Sequence, residues 1–146
     1  MPDSIKKQIM DRVLTTLSPL KTNGTFREIT REVDRLRDSK ALPALMVADG
    51  PESTFSRTDT VWTCRFTLEL RIFFARPRDA ATRKDALLAE VQKTLEADIT
   101  LGALGRILDS GNEEPVRAAD SESTHATVLR YTVQYTRRVA DPYVAS

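Results

Sequence analysis

Between Val61 and Phe74 the chain reads VWTCRFTLELRIFF, and apolar and polar residues alternate along the whole stretch. Trp62, Cys64, Phe66, Leu68, Leu70, Ile72 and Phe74 take every second position, with Thr63, Arg65, Thr67, Glu69 and Arg71 between them. Successive side chains of a strand point to opposite faces, so the pattern predicts one strand with an apolar face and a wet face. At ~3.3 Å per residue it spans roughly 45 Å, against about 5–6 residues for an ordinary strand. Its far end is expected to outrun the core of a single copy, so that another copy of the chain or some other partner covers it. A second alternating stretch runs from Ala126 to Arg137. It has Leu129, Tyr131, Val133 and Tyr135 on one side and Arg130, Thr132, Gln134 and Thr136 on the other.

Two stretches have the helical period instead. Ile5, Ile9, Met10, Val13, Leu14 and Leu17 form one stripe, with Asp3 or Ser4 able to cap it and Pro19 to end it. Leu87, Leu88, Val91 and Leu95 form the stripe of a second helix over Asp79–Asp98, which Asp79 can cap, with Glu90, Lys93 and Glu96 facing outward. Lys21–Gly24 reads as a turn. Phe26–Asp38 fits either a helix, through Phe26, Ile29, Val33 and Leu36, or an exposed edge strand of alternating Arg and Glu. Ala44–Val47 is a short buried strand that Asp49-Gly50-Pro51 closes, and Glu52–Thr60 reads as a polar loop in which only Phe55 is a core candidate. Ile99–Leu108, with Gly102 and Gly105, is a bend leading into a strand. Asp109–Thr124 is an acidic loop. These elements predict an α+β domain of two layers, a mixed and mostly antiparallel sheet with two helices packed on one face. The domain covers residues 1–138, and the patternless C-terminal tail, 139–146, is one that a partner would order.

Composition narrows the function. A chain of 146 residues with net charge +1 is one domain without the basic excess of a dedicated nucleic-acid binder. Its basic residues are 16 Arg and 6 Lys, and arginine suits bidentate pairing at protein interfaces as well as phosphate. Cys64 is the only cysteine and falls on the apolar face of the long strand, so it reads as a core residue. The amphipathic N-terminus has no signal-type apolar region and no run approaches ~18 apolar residues, so a cytosolic product without a membrane span is expected. Asn23-Gly24-Thr25 matches a glycosylation sequon but reads only as a turn in such a product.

Candidate chemistry is sparse. His125 is the only histidine, which leaves a histidine metal site or proton relay without a second member. The paired carboxylates Glu113-Glu114 and Asp120/Glu122 sit in a loop with no apolar pocket to raise a pKa. Gly102 and Gly105 do not form a dinucleotide fingerprint. On the wet face of the long strand only Phe73 could stack on a base, which argues against an RNA-recognition sheet. No catalytic residue, cofactor or metal is expected, and the chain does not read as an enzyme.

The order of elements does resemble a known family. Leu42-Pro43-Ala44-Leu45 before a short strand, the alternating Phe66–Phe74, Thr100-Leu101-Gly102-Ala103-Leu104 after the second helix, and Leu129-Arg130-Tyr131-Thr132-Val133-Gln134-Tyr135 near the end follow one another as in the tail terminator, or tail completion, proteins of long-tailed bacteriophages. The resemblance favours a strand within Phe26–Asp38, although the arginine-rich character of that segment departs from the family. It implies a structural virion protein, made in the host cytoplasm and placed at the head-proximal end of the tail. There a hexameric ring caps the tail tube, ends its polymerisation and joins it to the head. The implied partners are further copies of the chain, the tail tube protein and a head-side connector, with genome DNA passing through the lumen unread. On this reading the wet face of the long strand and the 52–60 loop make ring contacts, through Arg57, Asp59, Arg65, Glu69 and Arg71, while Glu113 and Glu114 dock the tube or the head side. The alternatives are a neighbouring head–tail joining protein of similar fold and a small nucleic-acid-binding module built on Arg65, Arg71, Arg76 and Arg78.

Overall fold

The structure, a computed structural model, describes residues 4–31, 43–75, 80–109, 112–116, 124–139 and 141–142. Helix α1 (Ile5–Leu17) starts at Ser4, whose hydroxyl accepts the Lys7 N–H at 3.2 Å. It buries Ile5, Ile9, Met10, Val13 and Leu17. Pro19 cannot donate into α1 and instead opens a one-turn helix, α2 (Pro19–Thr22), whose Leu20 is buried. Among the described residues, six strands follow the fold's mixed plan: β1 (Glu28–Arg31), β2 (Ala44–Arg57), β3 (Val61–Ala75), β4 (Arg106–Ile107), β5 (Asn112–Val116) and β6 (Thr124–Arg138). Helix α3 (Ala80–Glu96) lies between β3 and β4. The sheet order is β1-β2-β3-β6-β4, with β5 also on β6. Among these described strands β1 and β2 run parallel, and the other pairs are antiparallel.

This is the expected two-layer α+β fold, with α1 and α3 on one side of the sheet. Cys64, Phe66, Leu68, Leu70, Ile72 and Phe74 of β3 and Leu129, Tyr131, Val133 and Tyr135 of β6 join the helices' Ile9, Met10, Val13, Leu88, Val91 and Leu95 in one core. Cys64 is buried in it as a free thiol. The ambiguous Phe26–Asp38 segment forms strand β1 at Glu28–Arg31, and its remainder from residue 32 onward lies outside the described residues, as does the proposed cap Asp79. His125 lies in β6, its backbone opposite Phe74.

Three expectations are corrected. Glu52–Thr60 is not a loop: β2 continues through it, pairing from Glu52↔Phe66 to Arg57↔Trp62. Backbone pairing needs no apolar side chain, and a strand wet on both faces carries no alternation to read. Asp49-Gly50-Pro51 therefore does not close the strand but makes a bulge, where the register shifts between Asp49 and Glu52. The hairpin turn comes later, where Thr58 N–H donates to the Val61 carbonyl at 2.7 Å. Within the 109–124 segment, Asn112–Val116 forms β5 along β6, while residues 110–111 and 117–123 lie outside the described ones. Finally, of the tail, residues 139, 141 and 142 are described, and two of them bond to the body. Val139 N–H donates to the Thr60 carbonyl at 3.1 Å, and the Pro142 carbonyl accepts the Ile5 N–H at 2.9 Å.

Candidate interaction surface

The length mismatch between the layers creates the surface. β3 and β6 have 15 residues each and β2 has 14, or roughly 45–50 Å at ~3.3 Å per residue. Helices α1 and α3 have 13 and 17 residues, roughly 20–25 Å at ~1.5 Å per residue. The helices cover β3 from Cys64 to Phe74, where every inward-facing side chain is buried. The overrunning end of β3 is its beginning. There the hairpin of β2 and β3, flanked by the end of β6, stands out as an arm, and residues 51–60 are all exposed.

Directly opposite residues of neighbouring strands share a face, so the register assigns each side chain of the arm. On the helix side, Arg57, Trp62 and Arg137 lie in one row across β2, β3 and β6. The Arg137 guanidinium stacks on the indole at 4.6 Å. Two residues further in, the Tyr135 hydroxyl donates to the Glu52 carboxylate, and the Tyr135 and Phe66 rings meet edge-to-face at 6.1 Å. Burial first, and then the Glu52 charge, push the Tyr135 phenol far up from its ordinary value. On the open side, Arg65 Nε donates to Gln134 Oε1 at 2.9 Å, and its guanidinium lies 3.5 Å from the centre of the Phe55 ring. Phe55 is the extra residue of a second bulge, between Thr54↔Cys64 and Ser56↔Thr63, and is 59% exposed.

Further along the open side the character changes. Glu69 is held by Arg71 at 3.0 Å and by Arg130 at 3.4 Å. Beyond this cluster the face is apolar: Ala44, Met46, Ala48 and Val128 are buried, and a hollow of about 380 Å³ opens beside Phe73, Ala126 and Val128 with Arg71 and Arg130 at its rim. A second, shallow concavity of about 630 Å³ lies at the arm tip beside Asp59, Thr60, Val61, Arg138 and Val139.

The seven residues expected to form interfaces therefore separate into three places. Arg57 and Asp59 are on the arm, exposed. Arg65, Glu69 and Arg71 share the open side as expected, yet Glu69 and Arg71 are paired within the chain rather than held for a neighbour. Glu113 is on the helix side of the far edge, where it joins α3 through Lys84 at 2.9 Å and accepts the Thr127 hydroxyl at 3.3 Å. This bond raises the Lys84 pKa. Glu114 pairs through its backbone with Val128. Phe55, the Trp62–Arg137 stack and the Phe73 hollow were not foreseen. One signal was available: five consecutive buried residues, Ala44–Ala48, belong to a strand with both faces covered.

Away from this surface the charged groups serve the fold. Asp98 accepts Arg12 Nε at 2.8 Å and the Thr16 hydroxyl at 3.0 Å. The Arg12 hydrogen bond holds the Asp98 carboxyl below its ordinary range. Burial pushes Asp49 upward, but Lys6 at 3.0 Å and Arg31 at 3.4 Å outweigh it, and its pKa is lowered. Among the described residues no group of three His, Cys, Asp or Glu side chains could hold a metal ion, and no helix is long and apolar enough to cross a membrane. No known protein family matches the chain, and no curated protein is similar to it.

Proposed function

We propose that the protein is a structural subunit that caps a tubular polymer, the tail terminator of a long-tailed bacteriophage. In this role a ring of copies, six by the family resemblance, ends the tail tube at its head-proximal end and presents the surface that joins the head. The observation that carries the reading is the arm: ten consecutive exposed residues, 51–60, at the end of the β2–β3 hairpin. An exposed strand pair of this length invites a neighbour. Arginine and aromatic side chains are the groups that most often anchor protein interfaces, and the arm has Phe55, Trp62, Arg57, Arg65, Arg137 and Arg138. Among the described residues none of these four arginines makes an ion pair, whereas Arg12, Arg31, Arg71 and Arg130 of the body each have a carboxylate. A subunit whose two ends differ can match a stacking polymer on one side and stop it on the other.

The test is to mix the full-length chain with purified tail tubes that lack a terminator and to view the ends by negative stain, with mass from sedimentation. Rings seated on one end of each tube, and their loss in Arg57→Glu/Asp59→Arg, are expected. A chain that ignores tube ends and binds the head-side connector is a joining protein instead. A chain that binds neither, and takes up duplex DNA with a steep salt dependence, overturns the reading.

A further inference from the structure

The open side of the sheet has two unlike halves. The far half is closed, with Ala44, Met46, Ala48 and Val128 only 2–3% exposed. The near half, toward the arm tip, is polar and holds Arg65, Arg106 and Arg138. Gln134 of β6 is opposite Arg65 of β3 on one flank and Arg106 of β4 on the other, and Arg138 follows four residues along β6. At ~4.8 Å between strands and ~3.3 Å per residue, Arg65 and Arg106 are about 10 Å apart and Arg138 is roughly 14 Å from each. Arg106 and Arg138 are exposed, and Arg65 is steadied by Gln134 at 2.9 Å. Among the described residues none of the three makes an ion pair, in contrast to Arg12, Arg31, Arg71 and Arg130. Glu69 is held by Arg71 and Arg130, and Glu52 takes the Tyr135 hydroxyl on the helix side. A net charge of +1 therefore hides a local excess of positive charge.

Beside these cations stands an aromatic ring. Phe55 is 59% exposed, and the Arg65 guanidinium fixes it from 3.5 Å. At the same β2 edge a concavity of about 400 Å³ opens beside Thr54, Phe55, Ser56 and Arg57. That is within the ~300–1,000 Å³ of pockets that hold small organic groups. From it, Phe55, Arg65 and Arg106 succeed one another across β2, β3 and β4, a span of roughly 15 Å. The floor along this line is Ser53, Thr63, Gln134 and Thr136. A protein partner would want an apolar centre, which this floor lacks. Phosphates want cations, hydroxyls and amides, all of which it has. A duplex offers Phe55 no free base face, whereas a single strand does.

We propose that the near half of the open side binds a single strand of nucleic acid, one base stacked on Phe55 and the phosphates beyond it on Arg65, Arg106 and Arg138. This capacity goes beyond capping and does not rest on it. The residue pattern concealed it because a bulge, not the strand period, raises Phe55 on this side.

Fluorescence anisotropy of the full chain with labelled oligo-dT and oligo-rU of about 12 nucleotides, and with a duplex of equal length, tests it. Tighter binding of at least one single strand than of the duplex is expected, the tighter one naming DNA or RNA as the ligand. Between about 50 and 200 mM salt, three phosphate contacts give log K a slope against log salt of about −2. Phe55→Ala weakens binding by about 10-fold at unchanged slope, because stacking releases no counterions. Arg106→Ala makes the slope shallower by about 0.7 and leaves tube capping as it was. The proposal is overturned by a chain that binds no single strand, by a duplex bound as tightly, or by Phe55→Ala binding like wild type. It is also overturned if poly-glutamate of equal charge displaces the strand as well as unlabelled oligonucleotide does, since the site is then one for an acidic protein. Each of these results leaves the capping reading, tested at tube ends, where it stood.

Discussion

Several single residues sit where one atom decides the energy. The Tyr131 hydroxyl is buried and has no hydrogen-bond partner among the described residues, and burial, with the nearby Glu96 and Asp109 charges, pushes its phenol well above the ordinary value. A buried polar group without a partner costs roughly 1–3 kcal/mol, so Tyr131→Phe keeps or raises stability by up to about 1 kcal/mol in urea unfolding. Tyr135→Phe loses the bond to Glu52 and falls by about 1 kcal/mol. The opposite ranking of the two variants would show that Tyr131 has a partner. Gly105 lies where β4 meets β6: a Cβ there would stand 2.9 Å from the Gln134 carbonyl oxygen and 3.2 Å from Ile9 Cδ1. Gly105→Ala is therefore expected to cost on the order of 1–3 kcal/mol. Ala103, by contrast, has φ 69° in a left-handed turn with Leu101 and Gly102. Relief of ~1–2 kcal/mol of strain exceeds the ~0.5–1 kcal/mol entropic cost of glycine, so Ala103→Gly stabilises by about 0.5–1 kcal/mol.

Pairs of elements are tied by charges that respond to pH. Asp98 fastens the end of α3 to α1 through Arg12, and Asp49 fastens β2 to α1 through Lys6. Both carboxyls titrate below the ordinary carboxylate range in the folded chain. A depressed pKa means that the stabilisation is complete above the unfolded value and is lost as pH falls through the folded one. Stability is therefore flat through neutrality with respect to these two groups and declines below pH 3.8. In Asp98→Asn the decline is shallower, which thermal unfolding at a series of acid pH values will read. At this scale the arm also separates from the body. Its strand pairing was invisible in the residue pattern because Glu-Ser-Thr-Phe-Ser-Arg alternates in nothing that water distinguishes. Its amides have solvent on both faces, and hydrogen exchange is expected to be faster at Glu52–Arg57 than at Phe66–Ile72, whose alternate side chains are buried.

For the whole molecule, the unequal lengths of the two layers matter most. A sheet of roughly 45–50 Å under helices of roughly 20–25 Å leaves the exposed residues 51–60 beyond the core, which ends at Cys64 and Tyr135. Replacing residues 53–60 by a short turn removes only exposed side chains. The melting temperature should change little while self-association and binding to tube ends are lost; a large fall in melting temperature would mean that the arm belongs to the core. Reversing Arg71 tests a different contact. Because Arg71 is bound to Glu69 in its own chain, Arg71→Glu is expected to disturb the open side locally, whereas reversal of Arg57 leaves the monomer unchanged and acts only on assembly.

The layer architecture, α1, α3, the inward set of β3 and the inward set of β6 were legible from residue order alone, because each element repeats its period against one flat partner and burial depends on that period. The two-residue period of a strand also placed Arg65, Glu69 and Arg71 on one face. Tertiary structure decided what no period encodes. It extended β2 through Arg57, since a ladder of backbone hydrogen bonds is indifferent to side-chain polarity. It turned Glu113 inward to Lys84 and closed Glu69 between two arginines, since charge pairing across strands depends on register. It set Phe55 and the Phe73 hollow on one face, since a bulge of one residue determines the side to which an aromatic ring points.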